Sequence, residues 1–167
     1  MSPNTLRTIT VLDGMEYKES VKIPQCFMCN DPMFSNPTND HPQVIARLSV
    51  STAVLNRDWQ FFEGSTLLVF QDHLTELHHA TPKLQHQFID DAARVAAALT
   101  KTFPDIKLNH GLFGNAEPHL HWHMIVRRET DPTPRTTIWE SDFPIITKSE
   151  EDFRSLAAKI RLNLAPN

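Results

Sequence analysis

Three histidines alternate with apolar residues in the second half of the chain. His119, His121 and His123 are separated by Leu120 and Trp122. In an extended strand successive side chains point to opposite faces, so the three imidazoles would share one face and the apolar residues the other. Imidazole titrates near neutral pH, binds metals and can act as a nucleophile. The pattern therefore indicates metal ligation or catalysis by imidazole, rather than three unrelated buried histidines.

The spacing of these histidines bears on the choice between the two chemistries. At a rise of roughly 3.3 Å per residue, the first and last lie about 13 Å apart along a straight strand. Bonds from zinc to histidine nitrogen are only about 2.0–2.1 Å long, so the three rings could share one ion only if the strand carried a bulge. Catalysis by imidazole is the favoured interpretation, and a catalytic metal bound by the three histidines is the alternative.

A second group of possible ligands lies near the N-terminus. Cys26 and Cys29 are the only two cysteines, and their C-x-x-C spacing is typical of one half of a zinc site. Histidines would have to complete such a site. A redox pair and two small buried side chains with coincidental spacing are the competing interpretations.

Local patterns predict the elements that must position these residues. Segments rich in β-branched or continuous apolar residues predict strands: 44–56 (one or two strands), 66–70, 106–113 and 118–126. Between 30 and 42, Asn, Asp and Pro predict a loop.

Two helices are predicted from their start signals. Thr81 followed by Pro82 is a typical helix start, and apolar spacing carries that helix to about Thr102. Ser149 and Asp152 form a capping box at the start of a second, C-terminal helix. The strands surround one long central helix without regular βαβ alternation, which favours an α+β fold with a mainly antiparallel sheet.

Length and composition favour a single globular domain. The chain has 167 residues, 40% of them apolar, and a formal net charge of -4. This charge gives no general attraction to nucleic-acid polymers or anionic membranes, and no apolar run is long enough to span a bilayer. The start of the chain lacks a secretory signal pattern, so a cytoplasmic location is expected. We expect an N-terminal extension over 1–25 and one domain over 26–167.

The run from His119 to Ile125, His-Leu-His-Trp-His-Met-Ile, resembles the motif of the histidine triad (HIT) family. The surrounding order is similar too: a strand followed by His73, a long helix, a strand, and a glycine-containing turn before the triad. The turn beginning Gly114-Asn115 is particularly similar to a bacterial branch described as diadenosine-tetraphosphate-hydrolase-like. The resemblance covers roughly residues 26–140.

The resemblance implies a HIT-like α+β fold with a five-stranded antiparallel sheet, a homodimer, and activity on nucleotide substrates. Family members hydrolyse or transfer nucleotidyl groups from dinucleoside polyphosphates or nucleoside phosphoramidates, without a catalytic cofactor. His121 would be the nucleophile that carries the nucleotidyl group. His123 would contact phosphate oxygens and assist the leaving group, and His119 would support the middle imidazole. A nucleotide-binding or sensing module with little turnover is the alternative.

The resemblance also implies a nucleotide site. Gly114 and Asn115 would supply N–H groups and an amide to the phosphate, with Asn109 as a second amide donor. Relatives bind the ribose through an acidic residue. The matching position in this chain lies one residue before Asp58, and Asp58 is the candidate for the ribose contact. Trp59 could stack on a base or simply cover the core.

Some relatives carry a structural zinc ion, and the resemblance implies its ligands here: Cys26, Cys29, His73 and His119. A closed site with four protein ligands is structural rather than catalytic. The zinc would hold the N-terminal segment against the sheet.

Overall fold

Seven strands form two sheets in the computed structural model, which describes residues 7–10, 16–19, 25–140 and 142–164. The strands are β1 (Arg7–Thr10), β2 (Glu16–Glu19), β3 (Val44–Arg47), β4 (Ser51–Leu55), β5 (Thr66–Phe70), β6 (Ile106–Leu112) and β7 (His121–Arg128). The five later strands form one sheet in the order β3-β4-β5-β7-β6, and every neighbouring pair is antiparallel. The prediction of an α+β fold with a five-stranded antiparallel sheet is confirmed.

Within the part of the chain that the structure describes, β1 and β2 pair only with each other. They lie within the predicted N-terminal extension, residues 1–25, most of which lies outside the described residues.

Among the described residues, four α-helices accompany the sheet: α1 (Phe27–Asn30), α2 (Pro32–Ser35), α3 (Pro82–Thr102) and α4 (Glu150–Leu162). The Thr81 hydroxyl accepts a hydrogen bond from the Leu84 amide and caps α3. Ser149 caps α4, accepting from the Asp152 amide at 3.1 Å and donating to the Asp152 carboxylate at 2.6 Å. Both predicted helices are confirmed.

The prediction of a loop over 30–42 is wrong at α2. Asp31 accepts from the Met33 amide at the helix start and Pro32 occupies the first helical position. Proline there loses no intrahelical hydrogen bond, so this Asp-Pro pair starts a helix rather than prevents one.

One face of the sheet packs against α3 and α4. Even-numbered residues of β7, Trp122, Met124 and Val126, point to this side, with Phe88 and Leu99 of α3 opposite them. Fully burying one such apolar side chain contributes about 1.5–3 kcal/mol. The apolar half of the histidine strand therefore anchors it in the core.

The other face has two separate covers. The first consists of α1 and α2, which pack on Val44, Val54 and Val69. The second consists of the segments 57–64, 131–140 and 142–146, and their Phe62 and Ile138 pack on Ile125 of β7. His121 is paired with Val69, and His123 lies two residues before Ile125, so these two histidines face the gap between the covers.

The histidine strand begins later than predicted. Its ladder starts at His121, and His119 lies before it. The prediction that all three histidines lie in one strand is therefore wrong for the first of them.

The described residues include no helix long and apolar enough to cross a membrane.

Candidate active site and metal cluster

His121 and His123 lie together at a cavity of about 560 Å³. Their Nε2 atoms are 3.1 Å apart. The cavity is lined by these two histidines, the turn 114–117 and three aromatic residues, Trp59, Phe113 and Trp139.

A backbone carbonyl determines the tautomer of His121. Its Nδ1 lies 2.6 Å from the carbonyl oxygen of His119. A carbonyl can only accept, so Nδ1 carries the proton. The lone pair is then on Nε2, the atom near His123. His119 thus supports the middle histidine through its backbone, whereas its own ring points elsewhere.

His123 is a neutral donor in this arrangement. Because Nε2 of His121 bears a lone pair, the 3.1 Å contact requires Nε2 of His123 to carry the hydrogen. Burial, and then the charge of His121, lowers the pKa of His123 to about 4. The ring stacks on Trp59, with centroids 5.3 Å apart and planes 28° from parallel. Its buried Nδ1 has no hydrogen-bond partner among the described residues.

The lowered pKa of His123 predicts a loss of stability in acid. An imidazole protonates near pH 6.5 when the chain is unfolded but only near pH 4 when it is folded, so the unfolded state binds more protons between these values. The contribution of neutral His123 to the stability of the fold is complete above pH 6.5 and is lost as the pH falls towards 4. Between pH 7 and pH 5 we expect the wild type to lose about 2 kcal/mol more than His123→Gln.

Denaturant unfolding at the two pH values measures this difference. His86→Gln, at an exposed position of α3, is the matched control and is expected to lose as much stability as the wild type. A His123→Gln variant with the same pH dependence as the wild type would contradict the prediction.

A glycine allows two aromatic residues to line the cavity. Gly111 of β6 is paired with His123, and a Cβ atom there would overlap the ring of Phe113 and lie 3.1 Å from that of Trp139. These two rings contact each other with centroids 4.6 Å apart. The absence of a side chain at 111 lets them lie directly over the sheet.

The structure brings some of the predicted nucleotide-binding residues to this cavity and not others. Gly114 and Asn115 line it. Asp58 and Asn109 are not among the described residues that do. Asp58 is exposed beside Arg57, and Asn109 accepts a hydrogen bond from Arg127 at 3.4 Å.

Sequence reasoning missed several lining residues, among them Trp139 and Glu117. Trp139 comes from a segment without helical or strand periodicity, and no local signal connects it with the triad. Glu117 lies in the turn before the triad, and this position alone could have indicated that it lies near the site. The sequence pattern assigned it no role.

The ring of His119 belongs to a second cluster. Its Nδ1 is 3.4 Å from the Cys26 sulfur and 3.5 Å from the Cys29 sulfur. Nδ1 of His73 is 3.1 Å from the Cys29 sulfur. The four ligand atoms lie within 4.8 Å of one another, and these are the four residues predicted to bind zinc.

The geometry of this cluster fits a tetrahedral zinc ion. Usual bond lengths place a sulfur and a nitrogen ligand of zinc about 3.6 Å apart. Nε2 of His119 lies 2.7 Å from the Phe70 carbonyl and must donate to it, which leaves the lone pair on Nδ1, facing the sulfurs. Burial lowers the pKa of His119 and keeps the ring neutral, the form that binds metals.

Cys26 needs a cation in order to ionise. Burial, followed by a hydrogen bond to Glu117, raises the pKa of its thiol to about 12. The same Glu117 accepts from the Phe27 amide at 2.8 Å. A bound zinc ion would offset the cost of the buried thiolate, so the donor set is suited to a metal.

Comparisons with known proteins agree with this geometry. The model of the family described as HIT domain matches residues 39–130. A histidine triad protein from Sinorhizobium meliloti 1021 is 32% identical, with a TM-score of 0.66, over 73% of this chain and 89% of that one. A search of curated proteins gave no match.

More distant structures share the fold. A histidine triad protein from Marinobacter aquaeolei VT8 is 23% identical, with a TM-score of 0.64, over 72% of this chain and 87% of that one. A zinc-bound histidine triad family protein from Mycobacterium smegmatis is 20% identical, with a TM-score of 0.59, over 84% of this chain and 96% of that one.

Proposed function

Because this chain belongs to the HIT domain family, we propose that it is a nucleotidyl hydrolase or transferase with His121 as its nucleophile. HIT proteins are often hydrolases or transferases of nucleotides. The observation that carries the proposal is the hydrogen bond from Nδ1 of His121 to the His119 carbonyl. It keeps the lone pair on Nε2, which borders the cavity, and a neutral imidazole in this orientation can attack phosphorus without a metal.

In the first step, Nε2 of His121 attacks the α-phosphorus of a nucleotide conjugate. A P–N bond forms, and the bond from phosphorus to the leaving group breaks, with its electron pair going to the leaving group. The His119 carbonyl stabilises the positive charge that develops on the imidazole, because it already accepts the Nδ1 hydrogen. In the second step, water or another acceptor attacks the phosphorus and gives up its proton to the solvent, and the P–N electron pair returns to Nε2.

His123 and the turn before the triad would hold the phosphate. In the structure, Nε2 of His123 donates its hydrogen to His121. When substrate binds, the same N–H group can donate to a phosphate oxygen instead. Gly114 and Asn115 line the same cavity and offer a backbone amide and a side-chain amide. Trp59 and Trp139 provide flat apolar walls suited to a nucleobase.

The proposal has finer parts that rest on the resemblance. We assign the chain to the diadenosine-tetraphosphate-hydrolase-like branch, and we expect a homodimer in the cytoplasm. The zinc ion would be held by Cys26, Cys29, His73 and His119 as a structural ion. The four converging ligand atoms and the zinc-bound relative from Mycobacterium smegmatis support this assignment.

A substrate screen with a trapped intermediate tests the proposed activity. We expect purified protein to release AMP from diadenosine tetraphosphate or from adenosine phosphoramidate. Rapid denaturation during turnover should leave a nucleotidyl group on the protein, and mass spectrometry should place it on His121. Binding of AMP without cleavage of any substrate would contradict the proposal and favour a nucleotide-binding module.

A further inference from the structure

Glu117 connects the turn at the histidine cavity with the first helix of the N-terminal cover. It lines the cavity, and its Oε1 accepts a hydrogen bond from the Phe27 amide, the first residue of α1, at 2.8 Å. The two residues are 90 positions apart in the chain. Neither the proposed chemistry of His121 nor the set of four zinc ligands uses this contact.

The rest of the turn has few constraints of its own. The structure shows no hydrogen bond between Gly114, Asn115 or Ala116 and any other described residue. Gly114 has a φ of 96°, a conformation that glycine adopts without strain. Glu117, in contrast, accepts from the His119 amide at its carbonyl, at 2.8 Å, and from Phe27 at its side chain. The turn is therefore held from its Glu117 end.

The residue after Glu117 limits the directions that its side chain can take. Proline at 118 has a fixed φ and excludes the helical conformation for the residue before it. With its backbone restricted in this way and its carboxylate held by Phe27, Glu117 has little freedom left. A turn that is ordered before a ligand arrives loses little entropy when it binds one.

The segment to which Glu117 is tied is itself held in place. Cys26, next to Phe27, is buried, and its sulfur lies 3.4 Å from Nδ1 of His119. The side-chain amide of Asn30 donates to the Cys26 carbonyl at 2.7 Å. Two neighbouring residues at the start of α1 thus contact Glu117 and His119, on either side of the proline.

The charge of Glu117 also calls for an explanation. A carboxylate repels a phosphate in the same cavity, and no lysine or arginine is among the described residues that line this one. The Phe27 amide accounts for the carboxylate, because a hydrogen bond to an ionised acceptor is stronger than one between neutral groups.

We propose that Glu117 is a positioning residue, which ties the turn 114–117 to α1 and so holds the amides of Gly114 and Asn115 ready for a phosphate. The inference rests on the part of the proposed function that assigns the phosphate to this turn. Glu117 acts through the turn and forms no bond to the reacting atoms.

Calorimetric titration with AMP and with adenosine tests this role without turnover. We expect Glu117→Ala to weaken AMP binding about tenfold, the usual effect of one lost hydrogen bond to a charged group. Adenosine has no phosphate, so its affinity should stay within about twofold of the wild type. Glu117→Gln keeps a side-chain oxygen that can accept from Phe27, and it should restore AMP binding to within about twofold.

Three results would overturn the proposal. Equal weakening of AMP and adenosine would show a general distortion of the cavity. Tighter binding of AMP by both Glu117 variants would show that the carboxylate only repels phosphate. Unchanged AMP binding by Glu117→Ala, or none by the wild type, would show that the turn does not depend on Glu117 for holding a phosphate.

The other partner of the hydrogen bond provides a reciprocal test. Phe27→Pro removes the donor, and proline is tolerated at the first position of a helix. Cys26 before it is already extended, with φ -82° and ψ 116°, as a residue before proline prefers. We expect Phe27→Pro to weaken AMP binding about tenfold, whereas Phe27→Ala, which keeps the N–H group and removes only the exposed ring, should bind as the wild type does.

The combination of the two variants tests the contact itself. Phe27→Pro with Glu117→Ala should bind AMP no more weakly than either single variant, because each removes the same hydrogen bond. An additive loss of about a hundredfold would show that the two residues act separately, and would overturn the proposal.

Turnover separates this inference from the proposed function. If the variants change AMP affinity as expected but the wild type cleaves no substrate, the proposed function fails and the positioning role of Glu117 stands. If the wild type cleaves substrate through His121 and both Glu117→Ala and Phe27→Pro bind AMP as it does, only the positioning role fails.

Discussion

Replacement of His121 by asparagine is expected to lower kcat for nucleotidyl transfer by about 10⁴-fold or more. Asparagine retains an amide that can donate to the His119 carbonyl, but it has no lone pair able to form the covalent P–N bond. Pre-steady-state measurement of AMP release, together with mass spectrometry of the quenched protein, should show neither turnover nor a labelled protein.

The control for this variant is His86→Asn, at an exposed position of α3. We expect its kcat to stay within about twofold of the wild type, since surface substitutions rarely act at a distance. AMP binding by His121→Asn should persist, because the phosphate and base contacts do not depend on the nucleophile. Turnover by His121→Asn at the wild-type rate would reject His121 as the nucleophile.

Replacement of Cys26 by alanine is expected to remove the zinc ion and to destabilise the fold. At a free zinc concentration about a thousand times the Kd, zinc binding adds about 4 kcal/mol to the free energy of unfolding, and the variant loses this contribution. For a chain of this size, that corresponds to a fall in Tm of about 8–16 °C. Metal analysis and differential scanning calorimetry on the same samples measure both effects.

Chelation provides the matched comparison. Removal of zinc from the wild type should lower its Tm towards that of Cys26→Ala, and the variant should not respond to the chelator. The cluster joins α1 to His119, two residues before β7, so its loss also frees the N-terminal cover from the sheet. Equal zinc content and equal Tm in variant and wild type would show that this cluster binds no structural metal.

Periodic patterns predicted the elements well because burial on one face determines them. The run Thr66–Phe70 and the helix after Thr81 match the structure, since their apolar residues face the same core. The predicted start of β7 was too early, because His119 continues the alternation of histidine and apolar residues seen in the strand. In the structure its ring donates a hydrogen bond to the Phe70 carbonyl and faces the cysteines. Such long-range contacts cannot be read from local spacing.

The site was predictable where motif and spacing coincide. The set of four ligands, with Cys26 and His119 separated by 93 positions, followed from the C-x-x-C spacing together with the family resemblance. Asp58 was reached by counting back through 57–64, a loop in which no periodicity fixes the register. Trp139 reaches the cavity only through tertiary packing of a segment after β7, so no local pattern could reveal it.

The two covers over the histidine face have a consequence for how this protein can diverge during evolution. The family domain, residues 39–130, contains the triad and its strand, whereas both cysteines and Trp139 lie outside it. Substitution of the exposed Trp139 can therefore change which substrates fit, while Ile138 keeps its contact with Ile125 of the catalytic strand. Selection for a new substrate can act on this flank at little cost to the inherited chemistry.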